Sequence, residues 1–256
     1  MTSFRPKLWA GVSAALLLGA CSGGEGEGGE GGEGAAAPAT AIASAAAPAA
    51  GEGGEGGAEG GAGGEAGAQG AYTAVAPDSR VALRLAHLKG FLLVAQKVSD
   101  ADEAAALVGQ GLLEVYDAQP GAFQSAGLDK AKLDKAAETG KPSDITAALA
   151  AINAAQAKAG GDQAAVTKGM VDIAQGLYAG VVTADGVDPL EYQHAYGAAL
   201  SAKQSLDAAV RANPAAKAAE PEMARFLALW PSPTAPEKPT PVAQVSGQAA
   251  RVELAL

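Results

Sequence analysis

Glu191-Tyr192-Gln193-His194 places a carboxylate and an imidazole three residues apart. In a helix that spacing puts both side chains on one face. Such a pair can share a metal ion or hand a proton from one group to the other. Di-iron bundles use E-x-x-H twice, together with two further glutamates. This chain has only one other histidine, His87, and Arg84 stands three residues before it. That argues against a di-iron centre. It leaves a mononuclear site of His87, Glu191 and His194 holding a single ion such as iron, provided that the helices carrying them are neighbours. The plainer expectation is that both histidines sit at the surface or its boundary, with no cofactor bound.

Other catalytic signatures are missing or broken. Thr139-Gly140-Lys141-Pro142-Ser143 echoes a phosphate loop, but Lys135 stands where the first glycine belongs and Pro142 splits the Lys-Ser pair. Asp185-Gly186-Val187-Asp188 lacks the alternation of a calcium loop and reads as a turn followed by a helix cap. There is no G-x-S-x-G and no H-E-x-x-H. A hydrolase would thus have no visible nucleophile or metal triad, and the expectation is a non-enzyme.

The single cysteine of the chain, Cys21, has different chemistry in view. Arg5 and Lys7 precede the apolar run Leu8 to Leu18. That run is too short to span a bilayer as a helix, which takes about 20 residues. Leu18-Gly19-Ala20-Cys21 has the form of a lipobox. Small residues admit the peptidase at the Ala20–Cys21 bond, and the thiol of Cys21 takes a diacylglycerol, with palmitate-type acyl chains. Several chains together anchor stably where one would not. Residues 1–20 therefore read as a lipoprotein signal peptide. Ser22, in place of an inner-membrane-retaining Asp, favours the outer membrane, with the domain in the periplasm or at the cell surface. No intrachain disulfide can form, so stability must come from packing.

Residues 21–70 follow as a linker. Positions 22–70 hold nineteen Gly and eight Glu, with no Lys, Arg, Leu or aromatic residue. Such a composition buries too little to offset ordering entropy, so the segment is expected to be disordered. As a Gly-rich coil it would reach about 35–42 Å, and its like charges would extend it. The chain has 18 basic and 28 acidic residues. Without the signal peptide and linker, about −4 remains on residues 71–256. A mildly acidic domain with no basic stripe is a poor nucleic-acid binder, and its partners are expected to be the membrane and an envelope protein.

From residue 71 the periodicity is helical, and the fold class is all-α, a bundle of about six to seven helices. Val81, Leu85, Leu88, Leu92 and Ala95 make one apolar face, with Asp78 and Ser79 as its cap. Further helices are expected over about 102–116, 129–139, 143–159 and 221–230, with a long one from Asp188-Pro189 to about Ala212. In another, Val166, Met170, Ile173, Leu177 and Val181 form a stripe beside Gly169, Gly176 and Gly180. Glycine inside a helix costs about 1 kcal/mol relative to Ala. Three on one face point to close approach by a neighbouring helix or by a ligand, packing being the commoner reason. The domain is expected to span 71–230. Residues 231–256 read as a Pro-rich strap and a short terminal helical turn.

Several short motifs carry a family resemblance: the lipobox, Arg84-Leu85-Ala86-His87-Leu88-Lys89-Gly90-Phe91-Leu92-Leu93, Glu114-Val115-Tyr116, Glu191-Tyr192-Gln193 and Ala250-Arg251-Val252-Glu253-Leu254. They resemble those of proteobacterial helical lipoproteins, which are themselves broadly similar to imelysin-like proteins of periplasmic iron uptake. The resemblance implies a helical envelope lipoprotein and, through the imelysin likeness, metal binding. The imelysin G-x-H-x-x-E pattern is absent, and Phe91 and Gln110 stand near where relatives carry histidines. The first functional expectation is thus a membrane-anchored, non-catalytic domain that binds a partner protein or small ligand. The second is a metal-binding accessory of uptake.

Overall fold

Residues 62–183 and 186–256 are described by the computed structural model, and they are helical almost throughout. The helix expected to begin the domain is preceded by another. α1 (Ala62–Ala74) starts inside the stretch read as linker and lies along α7 (Gln163–Val181). Its sequence has no Leu, yet Ala68, Ala71 and Tyr72 are buried. Small side chains let it sit close, and Tyr72 supplies the bulk.

α2 (Arg80–Ala95) follows a short 3₁₀ turn over Pro77–Ser79. Ser79 does not cap it. Its hydroxyl instead accepts from the Asp162 N–H at 3.0 Å, tying the start of α2 to the start of α7. The expected single apolar face is too narrow a description: every residue from Ala82 to Ala95 is buried. α3 (Ala101–Gly111), α6 (Pro142–Ala159), α7 and α8 (Pro189–Ala212) surround it. A helix that is apolar almost all round belongs in the interior, and α2 has only Arg84, His87 and Lys89 as polar exceptions over those residues. Each fully buried Leu there contributes about 1.5–3 kcal/mol.

α3 is capped by Asp100, whose carboxylate accepts from the Glu103 N–H at 2.9 Å. It runs into one π turn, Leu112–Tyr116, closed by the Asp117 N–H on the Leu112 carbonyl. Pro120 opens another helix, α4 (Pro120–Ser125), because proline is tolerated in a first turn. α5 (Lys130–Thr139) ends at Gly140 with φ 58°, where a Cβ would lie 1.8 Å from the Ala101 carbonyl oxygen. The phosphate-loop echo is therefore a helix end pressed on α3.

α7 and α8 form the largest helix pair. Val166, Met170, Ile173 and Leu177 are fully buried as their spacing requires. Between the two helices the strands β1 (Val182–Thr183) and β2 (Gly186–Val187) pair antiparallel, a short hairpin with no alternation to announce it. Asp188 caps α8 as expected, accepting from the N–H groups of Leu190 and Glu191. α9 (Glu220–Leu227) leads to Trp230, which packs edge-on against Phe226 and Tyr178. The Tyr178 hydroxyl donates to the Thr240 carbonyl at 2.8 Å and fastens the Pro-rich strap. The terminal turn is a full helix, α10 (Val242–Ala255), which buries Val245, Ala249 and Val252 toward α7 and α9. Among the described residues ten α-helices, more than the six to seven expected, make the fold an all-α bundle. No helix among the described residues is long and apolar enough to cross a membrane.

Candidate functional site

The site begins where two helices touch backbone to backbone. A Cβ added to Gly90 of α2 would stand 2.8 Å from the carbonyl group of Gly197 of α8. One added to Gly197 would stand 2.5 Å from the Gly90 oxygen. Only glycine fits on either side. Ser201 of α8 adds a 2.6 Å hydrogen bond to the Ala86 carbonyl. The close crossing brings His87 and His194, each three residues before its glycine, into contact.

The expectation that the histidines are surface or boundary residues is therefore wrong. Each is only 3% exposed, their rings stack with centroids 5.0 Å apart, and their Nε2 atoms lie 2.8 Å from one another. On the far side of His87, the Tyr72 hydroxyl meets Nδ1 at 2.5 Å. On the far side of His194, Nδ1 faces Glu114 at 3.4 Å and Glu191 at 3.8 Å. Glu114 reaches inward because the π turn advances it relative to a regular α3. Such turns recur at functional sites. Phe91 closes one flank, its ring centroid 4.1 Å from that of His194, and Gly111 leaves room for that ring.

Protonation follows from the surroundings. Burial, partly offset by Arg84 and aided by Glu114, pushes the Tyr72 phenol far above its ordinary value, so it keeps its proton. Arg84 lies over the same ring, 4.0 Å from its centroid. Burial first, then His194 and Arg84, holds His87 well below the ordinary histidine range, so it is neutral. With the Tyr72 O–H donating to His87 Nδ1, His87 carries its hydrogen on Nε2 and donates it to His194 Nε2. The remaining hydrogen of His194 then sits on Nδ1, facing the two carboxylates. Tyr72, His87 and His194 thus form a one-directional chain whose last N–H faces Glu114 and Glu191 without a hydrogen bond to either.

These neighbours surround a cavity of about 80 Å³ bordered by Gln69, Tyr72, Arg84, His87, Glu114 and His194. At about 30 Å³ per water, it accepts an ion or the polar end of a larger molecule.

His87, Glu191 and His194 do come together, but not as three ligands of one ion. Glu191 stands behind His194, against the nitrogen turned away from His87. Among the described residues no group of three or more His, Cys, Asp or Glu is arranged to hold a metal. The geometry differs from a single ion held by His87, Glu191 and His194, the arrangement the sequence left open. The glycine face of α7 also divides. Gly169 packs on a methyl of Leu83, with 2.8 Å to an added Cβ, and Gly176 is half-buried. Gly180 is exposed, with nothing within 4 Å of an added Cβ among the described residues, because it lies in the last turn, beyond α2. Ala20 and Cys21 lie outside the described residues.

Tyr72, Arg84, Glu114 and the Gly90–Gly197 contact escaped the sequence reading. Arg84 and His87 at i, i+3 were a legible signal of a shared polar face. The inward turn of Glu114 was not, since nothing in Leu112–Tyr116 marks a π turn. Comparison with family models, with curated proteins and with solved structures gave no match. The resemblance thus rests on its motifs. Three of them, around His87, Glu114 and Glu191, converge on this one cluster.

Proposed function

We propose that this chain is a lipoprotein anchored to the membrane, the outer membrane in our reading, through Cys21. Its helical domain binds a partner protein or small ligand in the cell envelope and does not catalyse a reaction. The lipobox and the acidic linker support the anchor. The single observation that supports recognition is the 80 Å³ cavity, where Tyr72, Arg84, Glu114 and two imidazoles meet inside an Ala- and Leu-rich core. Burying such groups is costly unless they are paired, and an apolar cluster would hold the same helices together. The cavity size suits a terminal polar group presented by a partner. A photo-crosslinking residue in place of Gln69, at the cavity rim, tests this in cells. A discrete adduct that disappears with His194→Gln is expected. Adducts no different from those formed at exposed Lys132 on α5 would overturn the reading.

A second reading, an imelysin-like metal-binding accessory, is favoured by the two Nε2 atoms facing each other with both Nδ1 atoms held from behind. Metal–nitrogen bonds of about 2.0–2.1 Å at a tetrahedral angle separate two ligand nitrogens by about 3.3 Å. The rings would have to part from 2.8 Å, with further ligands supplied by water or a partner. Elemental analysis of the purified full chain decides: stoichiometric metal, lost with His87→Gln, would replace the first reading by the second.

A further inference from the structure

Lys89 follows His87 by two residues, about 200° round α2, and so leaves the helix on the side away from the imidazoles. It is 8% exposed, and its ammonium donates to Gln156 Oε1 at 3.3 Å. Among the described residues no carboxylate comes within ion-pair distance of it. The acid that lines the same groove, Asp207, is already paired with Lys203 at 2.5 Å. The other charged residue there is a second cation, Arg211. Burial, reinforced by Arg211, lowers the Lys89 ammonium to about 8.

A buried cation that faces a like charge and lacks a counter-charge is costly. Here it forms the floor of a cavity of about 620 Å³ between α6, the start of α7 and the second half of α8. That volume lies in the range of small-molecule sites. Asn153, Gln163 and Gln204 present amides around it. Gln204, the nearest of the α8 lining residues to His194, is ten residues on, about 15 Å along the helix. The groove is therefore separate from the imidazole cluster.

We propose that this groove binds a small hydroxylated organic anion. Its acidic group lies between Lys89 and Arg211, and the flanking amides and the free acceptor capacity of Asp207 hold its hydroxyls. The anion supplies the charge that the fold leaves out. Arg suits this position because its planar fork takes both oxygens of an acidic group, while Lys89 contributes a point charge from below.

Calorimetric titration of the full chain in detergent with glucuronate, glucose and inorganic phosphate tests the proposal. Glucuronate should bind, and glucose, the same ring without the charge, should bind at least tenfold more weakly. Phosphate, which has charge but no ring hydroxyls, should also bind more weakly than glucuronate. Arg211→Gln, at an exposed position that the fold does not need, should lower glucuronate affinity about tenfold or more, and Lys89→Gln at least as much. In ¹³C spectra of lysine-labelled protein, saturation with glucuronate should move the Lys89 titration upward from its depressed position. Equal binding of glucose, equal or tighter binding of phosphate, no detectable glucuronate binding at millimolar concentration, or unchanged affinity in Arg211→Gln would each overturn the proposal.

Discussion

His87 and Lys89 leave α2 on opposite sides and meet opposite surroundings. Around His87 the chain supplies a hydrogen-bonding neighbour to each ring nitrogen, a phenol to one and a second imidazole to the other. Around Lys89 it supplies one amide oxygen, a second cation and an open groove. Both residues are more than nine-tenths buried. Burial alone therefore does not mark a ligand site. What separates the two is whether the charge and hydrogen-bond account closes within the chain. The imidazole cluster closes around His87 but leaves His194 Nδ1 and Glu191 Oε2 without hydrogen-bond partners, and its cavity is small. The lysine groove does not close, and its cavity is large.

The Gly90–Gly197 contact sets the distance between α2 and α8 for both sites, so breaking it should give the largest effect. In Gly197→Leu a side chain must enter where an added Cβ already stands 2.5 Å from a backbone oxygen. Backbone cannot step aside as a side-chain tip can. Overpacking of this kind reaches about 3 kcal/mol. The chemical-denaturation midpoint should fall accordingly, and an unchanged midpoint would mean that the helices are not in contact there.

Acid should separate the two sites next. His87 is neutral in the fold, held there by burial, His194 and Arg84 within a shell that also contains Tyr72, Glu114 and Glu191. In the unfolded chain it takes a proton near pH 6.5. Its contribution to stability is complete above that pH. It is lost as the pH falls from about 6.5 toward the depressed folded value, by up to about 1.4 kcal/mol per pH unit. Asp172 works the other way in an overlapping window. Burial, then Glu253, raises its carboxyl to about 6, so acid relieves it. Denaturation midpoints between pH 7.5 and 5.5 should fall for the wild type, fall more steeply for Asp172→Asn, and rise slightly for His87→Leu, where Asp172 alone still responds. A flat wild-type profile together with a flat Asp172→Asn profile would remove the neutral buried His87 from the account.

Removing one group from each site should sharpen the contrast. Tyr72→Phe leaves His87 Nδ1 buried without a donor, at a cost of about 1–3 kcal/mol. Lys89→Met removes a buried charge that has no counter-charge in the chain, and such replacements are often neutral or stabilising. Thermal melts of the two variants should therefore move in different directions, or Tyr72→Phe down with Lys89→Met unmoved. If both fall equally, the charge account at Lys89 closes after all.

Much of the bundle was legible because helical period, proline starts and capping aspartates are local: Asp188 and Pro142 begin helices where their chemistry says they should. What was hidden depends on contact between distant segments. α1 has too few bulky residues to declare itself, and its contacts with α7 and α2 are what order it. The meeting of His87 with His194 needs the Gly90–Gly197 crossing, and nothing on one helix says which glycine of another it will face. The full burial of α2 follows from its composition, yet a one-face reading left His87 at the surface or its boundary.

The smallest effect tests the same open-versus-closed distinction on α7. Gly169 and Gly180 lie eleven residues apart on one helix and were read as a single packing face. Gly169 now faces a methyl of Leu83, and Gly180 faces open space among the described residues. Replacing Gly180 with Ala meets no neighbour and gains helix propensity, worth at most about 1 kcal/mol and less in a last turn, where the helix frays. Gly169→Ala gains the same propensity but must push the Leu83 methyl out from 2.8 Å within a fully buried layer. A side-chain tip can yield a few tenths of an ångström cheaply, but not most of an ångström where its own neighbours are close-packed. Gly180→Ala should therefore raise the denaturation midpoint slightly and Gly169→Ala should lower it. A Gly180→Ala variant that melts below the wild type would show that this end of α7 is covered, and would restore it as a packing or ligand face.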